Sequence, residues 1–184
     1  EPDRQLATVL FTDIVGSTVA AERLGDAAWK RVLATHHEDA RTLLAHHRGR
    51  LVNTTGDGFV AIFDAPLRAV RCGLDLADAA RRLGIATRAG VHTGEVEFVD
   101  GDLRGRAVHL AARVMDAADP GATFVSGTTR ELTIGGGIEG PARGTATIPN
   151  RPGECWLLCQ HLFNEPLRVL TEAVDRRCVL EELE

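Results

Sequence analysis

Two short stretches, F-T-D-I-V-G-S-T at 11–18 and T-T-G-D-G-F at 54–59, flank a long helical pattern and restrict the fold more than any other feature of the chain. Leu6-Ala7-Thr8-Val9-Leu10-Phe11 is a near-continuous, β-prone apolar run. Asp13 is therefore expected to emerge at the C-terminal end of a strand, beside Gly16, Ser17 and Thr18, whose backbone N–H groups open a helix and suit phosphate. Val60 to Phe63 reads as a second apolar strand, and Gly56-Asp57-Gly58 as a tight turn joining it to Leu51-Val52-Asn53-Thr54-Thr55 in a hairpin with Asp57 at its tip. If these strands are neighbours, the two carboxylates face each other. That arrangement raises a pKa unless a divalent cation neutralises them, and hard oxygen donors favour Mg²⁺ or Mn²⁺. Singly, Asp13 reads as a helix N-cap and Asp57 as a turn former; together, among glycines, they read as a cation site.

The rest of the chain alternates helix and strand signals. Trp29, Val32, Leu33, Ala40, Leu43 and Leu44 form the apolar stripe of one long helix ending near Gly49. A second helix is predicted from Pro66 to Leu83, with Pro in its first turn and Gly84 as its stop. Thr87 to Gly94 is a strand that continues as extended chain to Val99, and Asp100-Gly101-Asp102 is a turn. Arg106 to Ala117 reads as a third helix with Val108, Ala111, Ala112 and Met115 inward, followed by strands at Thr123–Ser126 and Glu154–Gln160. The glycine-rich stretch from Gly135 to Gly144 is expected to form loops or a ragged hairpin. This order predicts an α+β fold with a ferredoxin-like βαββαβ core and additional strands and helices, in one domain over residues 1–160. Residues 161–184 form a C-terminal extension, read either as a terminal helix or as an appended remnant. No G-x-x-x-x-G-K-[ST] occurs, which excludes a P-loop.

Composition narrows the function classes. With 44% hydrophobic and 26% charged residues the chain has an ordinary soluble composition, and no apolar run reaches membrane-spanning length, so a cytoplasmic domain is expected. The net charge of −5 without a basic run argues against nucleic-acid binding. Glu1-Pro2-Asp3 carries neither an initiating Met nor a signal peptide, which suggests a piece of a longer protein with fused regulatory domains. Cys155 and Cys159 share a strand face, Cys72 and Cys178 stand apart, and no metal set is completed, so reduced, buried thiols are expected. His36-His37 and His46-His47 read as solvated or partly packed helix residues.

The residues F-T-D-I-V-G-S-T, T-T-G-D-G-F and, at 102–113, D-L-R-G-R-A-V-H-L-A-A-R stand in the order found in class III nucleotide cyclase domains, the adenylate and guanylate cyclases, and the chain resembles that family from about Leu6 to Gln160. The resemblance implies attack of a ribose 3′-oxygen on the α-phosphorus of a nucleoside triphosphate, with pyrophosphate leaving in line and two cations, Mg²⁺ or Mn²⁺, at each site. It places Asp13, Ile14 and Asp57 at the metals, Gly16, Ser17 and Thr18 at the phosphates, Asn53 and Asp102 at the base, and His109 and Arg113 at the reacting groups. An always-ionised planar fork suits Arg113 to charge on the phosphate being transferred.

Two positions depart from the family pattern. His109 stands where the family has an Asn that orients the ribose; a bulkier, titratable imidazole predicts slower turnover. Asn53 stands where adenylate cyclases carry a Lys that reads adenine, and Lys30, the sole lysine among 21 basic residues, lies on another helix. Asp102, an acceptor only, favours adenine with its N6 donor, whereas Asn53 can donate or accept, so ATP is preferred over GTP but weakly. In the family the metal aspartates come from one subunit and the base-reading and Arg positions from the other, so a homodimer with shared active sites is implied. The expected activity is conversion of ATP to cyclic AMP and pyrophosphate. The alternatives are a degenerate nucleotide-binding regulatory domain, motivated by Asn53 and His109, and a guanylate cyclase.

Overall fold

A computed structural model describes residues 4–99, 101–138, 142–148 and 151–158, the last two stretches as backbone alone. The elements are β1 (Arg4–Ile14), α1 (Ser17–Leu24), α2 (Asp26–His46), β2 (Arg50–Thr55), β3 (Gly58–Phe63), α3 (Pro66–Arg82), β4 (Thr87–Val99), β5 (Asp102–Arg104), α4 (Arg106–Asp116), β6 (Thr123–Ser126), α5 (Gly127–Thr133), β7 (Ala142–Ile148) and β8 (Arg151–Leu158). They build one sheet in the order β2-β3-β1-β4-β6-β8-β7, with β5 paired to β4. The first four strands, β2-β3-β1-β4, pair antiparallel throughout, the arrangement of a ferredoxin-like core. β6 adds parallel to β4 and carries the β7–β8 hairpin.

Period-two alternation divides the core between the two faces of the sheet. Leu10 of β1 joins Ala40 and Leu44 of α2, Val70 and Leu76 of α3, and Val91 of β4 in one cluster. Ala7 and Val9 of β1 point the other way, toward Val60, Ile62 and Val96 and toward Ala107 and Ala111 of α4. On that second side Phe11, Val52, Phe98, Leu103 and Val108 are only partly buried.

Several expectations are corrected in detail. The long first helix is two helices, because Gly25 takes φ 78° and serves as the end of α1 and the start of α2. α1 buries none of its residues, so no core stripe resists that break. Asp13 stands at the C-terminal end of β1 as expected, and backbone pairing with β4 continues through Ile14. The inward line of α4 is Ala107, Ala111 and Val114, with Val108 and Met115 half-buried, a rotation forced by the close seating of its backbone on Gly90 of β4. Asp102 pairs with Val99 in β5, so it belongs to a strand and not to the preceding turn. α5 was not expected, and Gly144 lies in β7. His36 is buried, against the reading of a solvated or partly packed residue. Cys72 is buried as expected, and burial pushes its thiol up to about 12. Cys159, Gln160, Cys178 and the extension 161–184 lie outside the described residues. Among the described residues no helix is long and apolar enough to cross a membrane.

Candidate functional site

β1 and β3 are antiparallel neighbours with Thr12 opposite Phe59, which brings Gly58, the residue after Asp57, beside Asp13. Gly58 is seated so closely on the Thr12 carbonyl that any Cβ there would overlap it and would stand 3.1 Å from Asp13 Cα. Only a residue without a side chain lets the hairpin tip approach β1 this far. Asp57, the residue before it, is half-buried in the Gly56-Asp57 turn at the tip. Asp13 is likewise half-buried, and Ile14 is buried with its side chain among Ala80 and Ile85. What Ile14 can offer a cation is its main-chain carbonyl.

Arg88 is a residue that sequence reasoning missed. It is the register partner of Asp13 across β1 and β4, and its Nη2 donates to Asp13 Oδ2 over 3.1 Å. The same Nη2 lies 3.7 Å from Asp116 Oδ1 at the end of α4, and its Nε is buried without a hydrogen-bond partner. The sequence signal was the strand Thr87 to Gly94, but nothing in it specified register against β1.

After Asp13 the chain turns at Gly16, whose φ of 66° is the left-handed conformation that favours glycine. Gly16 is the N-cap of α1, offers no side-chain cap, and its carbonyl accepts from Ala20 N at 3.0 Å. The N–H groups of the first turn, those of Ser17 and Thr18 among them, have no acceptor within the helix and carry its positive dipole end.

The donors fit a hard dication in a particular way. Two carboxylates and a main-chain carbonyl are too few to enclose Mg²⁺, which keeps several waters and is ordinarily held by one or two carboxylates plus substrate phosphates. Among the described residues no group of three or more His, Cys, Asp or Glu side chains gathers as a self-sufficient metal cluster. The arrangement therefore suits a cation that arrives with a triphosphate.

The other predicted residues form a separate set. His109 and Arg113 are one turn apart on α4 and both are exposed, while Ala107, Ala111 and Val114 face the sheet. Asn53 is exposed on β2, and its Oδ1 accepts from Thr54 N at 2.8 Å, which leaves its amide NH₂ free as a donor. Asp102 is exposed on β5. The sheet curls enough for β5 to approach β2, where Arg50 lies 4.3 Å over the Phe98 ring. Thus Asp13 and Asp57 stand at the β1 and β3 ends, while Asn53, Asp102, His109 and Arg113 are exposed on β2, β5 and α4.

The family model of the adenylate and guanylate cyclase catalytic domain matches residues 2–160. Putative adenylate cyclase 3 of Rhizobium meliloti is 34% identical over 140 residues, which is 72% of this chain and 24% of that protein. The crystal structure of the adenylyl cyclase CyaB from P. aeruginosa shares the fold at a TM-score of 0.80 with 21% identity, covering 90% of this chain and 100% of that one. The guanylyl cyclase Cya2 superposes at a TM-score of 0.77 with 25% identity, covering 90% and 98%. The chain spans 24% to 33% of the length of the first curated relatives. The chain belongs to the family of adenylate and guanylate cyclase catalytic domains.

Proposed function

We propose that this domain is an adenylate cyclase, converting ATP to 3′,5′-cyclic AMP and pyrophosphate at the interface of a homodimer, as part of a longer, cytoplasmic protein with fused regulatory domains. The observation that carries the reading is the close seating of Gly58, the residue after Asp57, on the Thr12 carbonyl and beside Asp13. A purely structural hairpin has no need of two carboxylates at that contact.

Asp13, the Ile14 carbonyl and Asp57 would hold Mg²⁺ or Mn²⁺, whose chemistry is to lower the pKa of the attacking hydroxyl and to neutralise charge on the triphosphate. The free N–H groups at the start of α1, with Gly16, Ser17 and Thr18, supply fixed donors for the outer phosphates. Arg88 adds a guanidinium to the same end. When a dication takes the Asp13 carboxylate, that guanidinium becomes available to phosphate oxygens, for which its fork geometry is suited.

Asp13 and Asp57 need a partner for the rest of the site. His109 and Arg113 face away from their own sheet, on the side where Phe11, Val52, Phe98, Leu103 and Val108 remain partly uncovered. A second copy covering that face would bring its Arg113 to the transferred phosphate and its His109 to the ribose, and the twofold symmetry would make two such sites. The outward NH₂ of Asn53 can donate to adenine N1 while Asp102 accepts from N6, which favours ATP.

The test is purified protein with ATP or with GTP and Mn²⁺, assayed for cyclic product beside an Asp13→Ala control. Cyclic AMP formed from ATP and lost in the control supports the reading; cyclic GMP as the dominant product moves it to a guanylate cyclase. Absence of either product from a dimer that still binds nucleotide would point to the regulatory reading, which the replacements at Asn53 and His109 favour.

A further inference from the structure

His36 is only 1% exposed, and neither of its ring nitrogens has a hydrogen-bond partner. A buried imidazole normally satisfies at least one nitrogen, because an unpartnered polar group in the core bears its desolvation cost with nothing to offset it. His36 shares the buried face of α2 with Ala40 and Leu44, four and eight residues on.

The course of α2 along β3 locates the ring. Leu44 and Phe63 both close on Gly49, where an added Cβ would stand 3.0 Å and 2.5 Å from them. One turn back, Ala40 and Phe59 line the same small cavity between α2 and the hairpin. His36 lies one turn further along the same buried face of α2, about 5.4 Å from Ala40, which lines that cavity with Phe59, two residues after Asp57. The negative charges of Asp39 and Asp57 act on this ring, against the stronger effects of burial and of His37, which lower its pKa. The neutral imidazole then carries one N–H donor and one acceptor. Thr12, on the same side of the sheet and opposite Phe59, has a buried hydroxyl that is also unpartnered. Two buried polar groups on this side of the sheet, the His36 ring and the Thr12 hydroxyl, thus stand without a hydrogen-bond partner.

We infer that His36 is a positioning residue for the Asp57 carboxylate: from inside the core its ring N–H donates to that carboxylate, directly or through one buried water, when the hairpin tip holds a dication. The inference rests on Asp57 being a cation ligand, as argued above. Partners that orient a ligating carboxylate from behind change metal affinity without touching the metal.

Mn²⁺ alone is the probe, titrated by electron paramagnetic resonance into the wild-type chain, His36→Leu, His36→Gln and Asp57→Ala. His36→Leu should melt at or above the wild-type temperature, since it removes two unpartnered nitrogens, yet bind Mn²⁺ about tenfold more weakly. His36→Gln, which keeps a donor, should recover part of that loss. Independently, Mg²⁺ should shift the ¹⁵N resonances of the His36 ring in the wild-type chain and not in Asp57→Ala, a measurement that holds even if the leucine variant does not fold. Unchanged Mn²⁺ affinity in a folded His36→Leu, or ring nitrogens that ignore Mg²⁺, would overturn the inference alone. A wild-type chain that binds no Mn²⁺ would overturn the reading of Asp57 as a ligand, and the inference with it.

Discussion

Arg88 and Asp13 are register partners on adjacent strands, and the guanidinium donates to the carboxylate over 3.1 Å. Their side chains are 30% and 28% exposed, so the pair stabilises the fold by no more than about 1 kcal/mol. Arg88→Met should therefore leave chemical denaturation almost unchanged. It should tighten binding of Mn²⁺ alone, because Asp13 loses its resident counter-charge, and raise the KM for the triphosphate about tenfold through loss of a charge-assisted contact. Calorimetric Mn²⁺ titration and steady-state kinetics measure the two effects, and parallel weakening of both would contradict the assignment.

Gly58→Ala tests the seating of the hairpin tip on β1 beside Asp13. The new methyl group would overlap the Thr12 carbonyl, a backbone atom that cannot swing aside. The hairpin tip must lift from β1, at a cost of about 1–3 kcal/mol of stability, and cyclase activity should fall more than the unfolded fraction explains. A variant with wild-type activity at full occupancy of the folded state would show that the spacing of Asp13 and Asp57 is not critical.

His92 makes stability depend on pH. It is buried on β4, with Nδ1 2.7 Å from Ser126 Oγ, at the head of a hydroxyl chain through Thr129 and Thr93 to Thr8. Desolvation pushes its pKa down from 6.5 to about 4. Between those values the unfolded chain binds the proton and the folded chain does not, so stability is full above pH 6.5 and falls as the pH drops toward 4. The slope is about 1.4 kcal/mol per pH unit, and His36, shifted in the same direction, adds to it. Denaturation at pH 7 and pH 5 should show a smaller difference for His92→Gln than for the wild-type chain.

Shared sites predict complementation. Asp57→Ala and Arg113→Ala should each be inactive as homodimers, whereas an equal mixture forms heterodimers with one intact site. Random exchange puts the recovered activity near one quarter of wild type, as an order-of-magnitude figure from twofold symmetry. No recovery in a preparation shown to contain heterodimers would reject the shared-site arrangement.

The two departures from the family pattern can be reversed. Asn53→Lys should raise the ratio of ATP to GTP turnover, since an ammonium only donates and adenine N1 only accepts. His109→Asn should raise kcat more than it changes KM if the residue acts on the ribose in the transition state. An unchanged nucleotide ratio would mean that position 53 does not touch the base.

Much of the architecture is legible in local pattern. The apolar runs at Leu6–Phe11 and Val60–Phe63, the Gly56-Asp57 turn, and the stripes of α2 and α3 are short-range signals, and the elements follow them within a few residues. The break at Gly25 was missed because the apolar stripe begins only at Trp29 and says nothing about the solvent-exposed turns before it. The phase of α4 was misjudged because Val108 and Met115 are more apolar than Ala107, yet the small residues are those that fit against Gly90.

The sequence by itself determined the family and most of the principal strands and helices, because each is carried by periodicity or by a contiguous motif. Only the tertiary structure decided which of their residues meet. Arg88 finds Asp13 across 75 residues, and His36 turns into the core from the buried face of α2. A strand's period of two states which side a residue takes but not its register, and a helix's stripe states which face is buried but not what it will lie against. Those choices are made when the sheet and its helices close on one another.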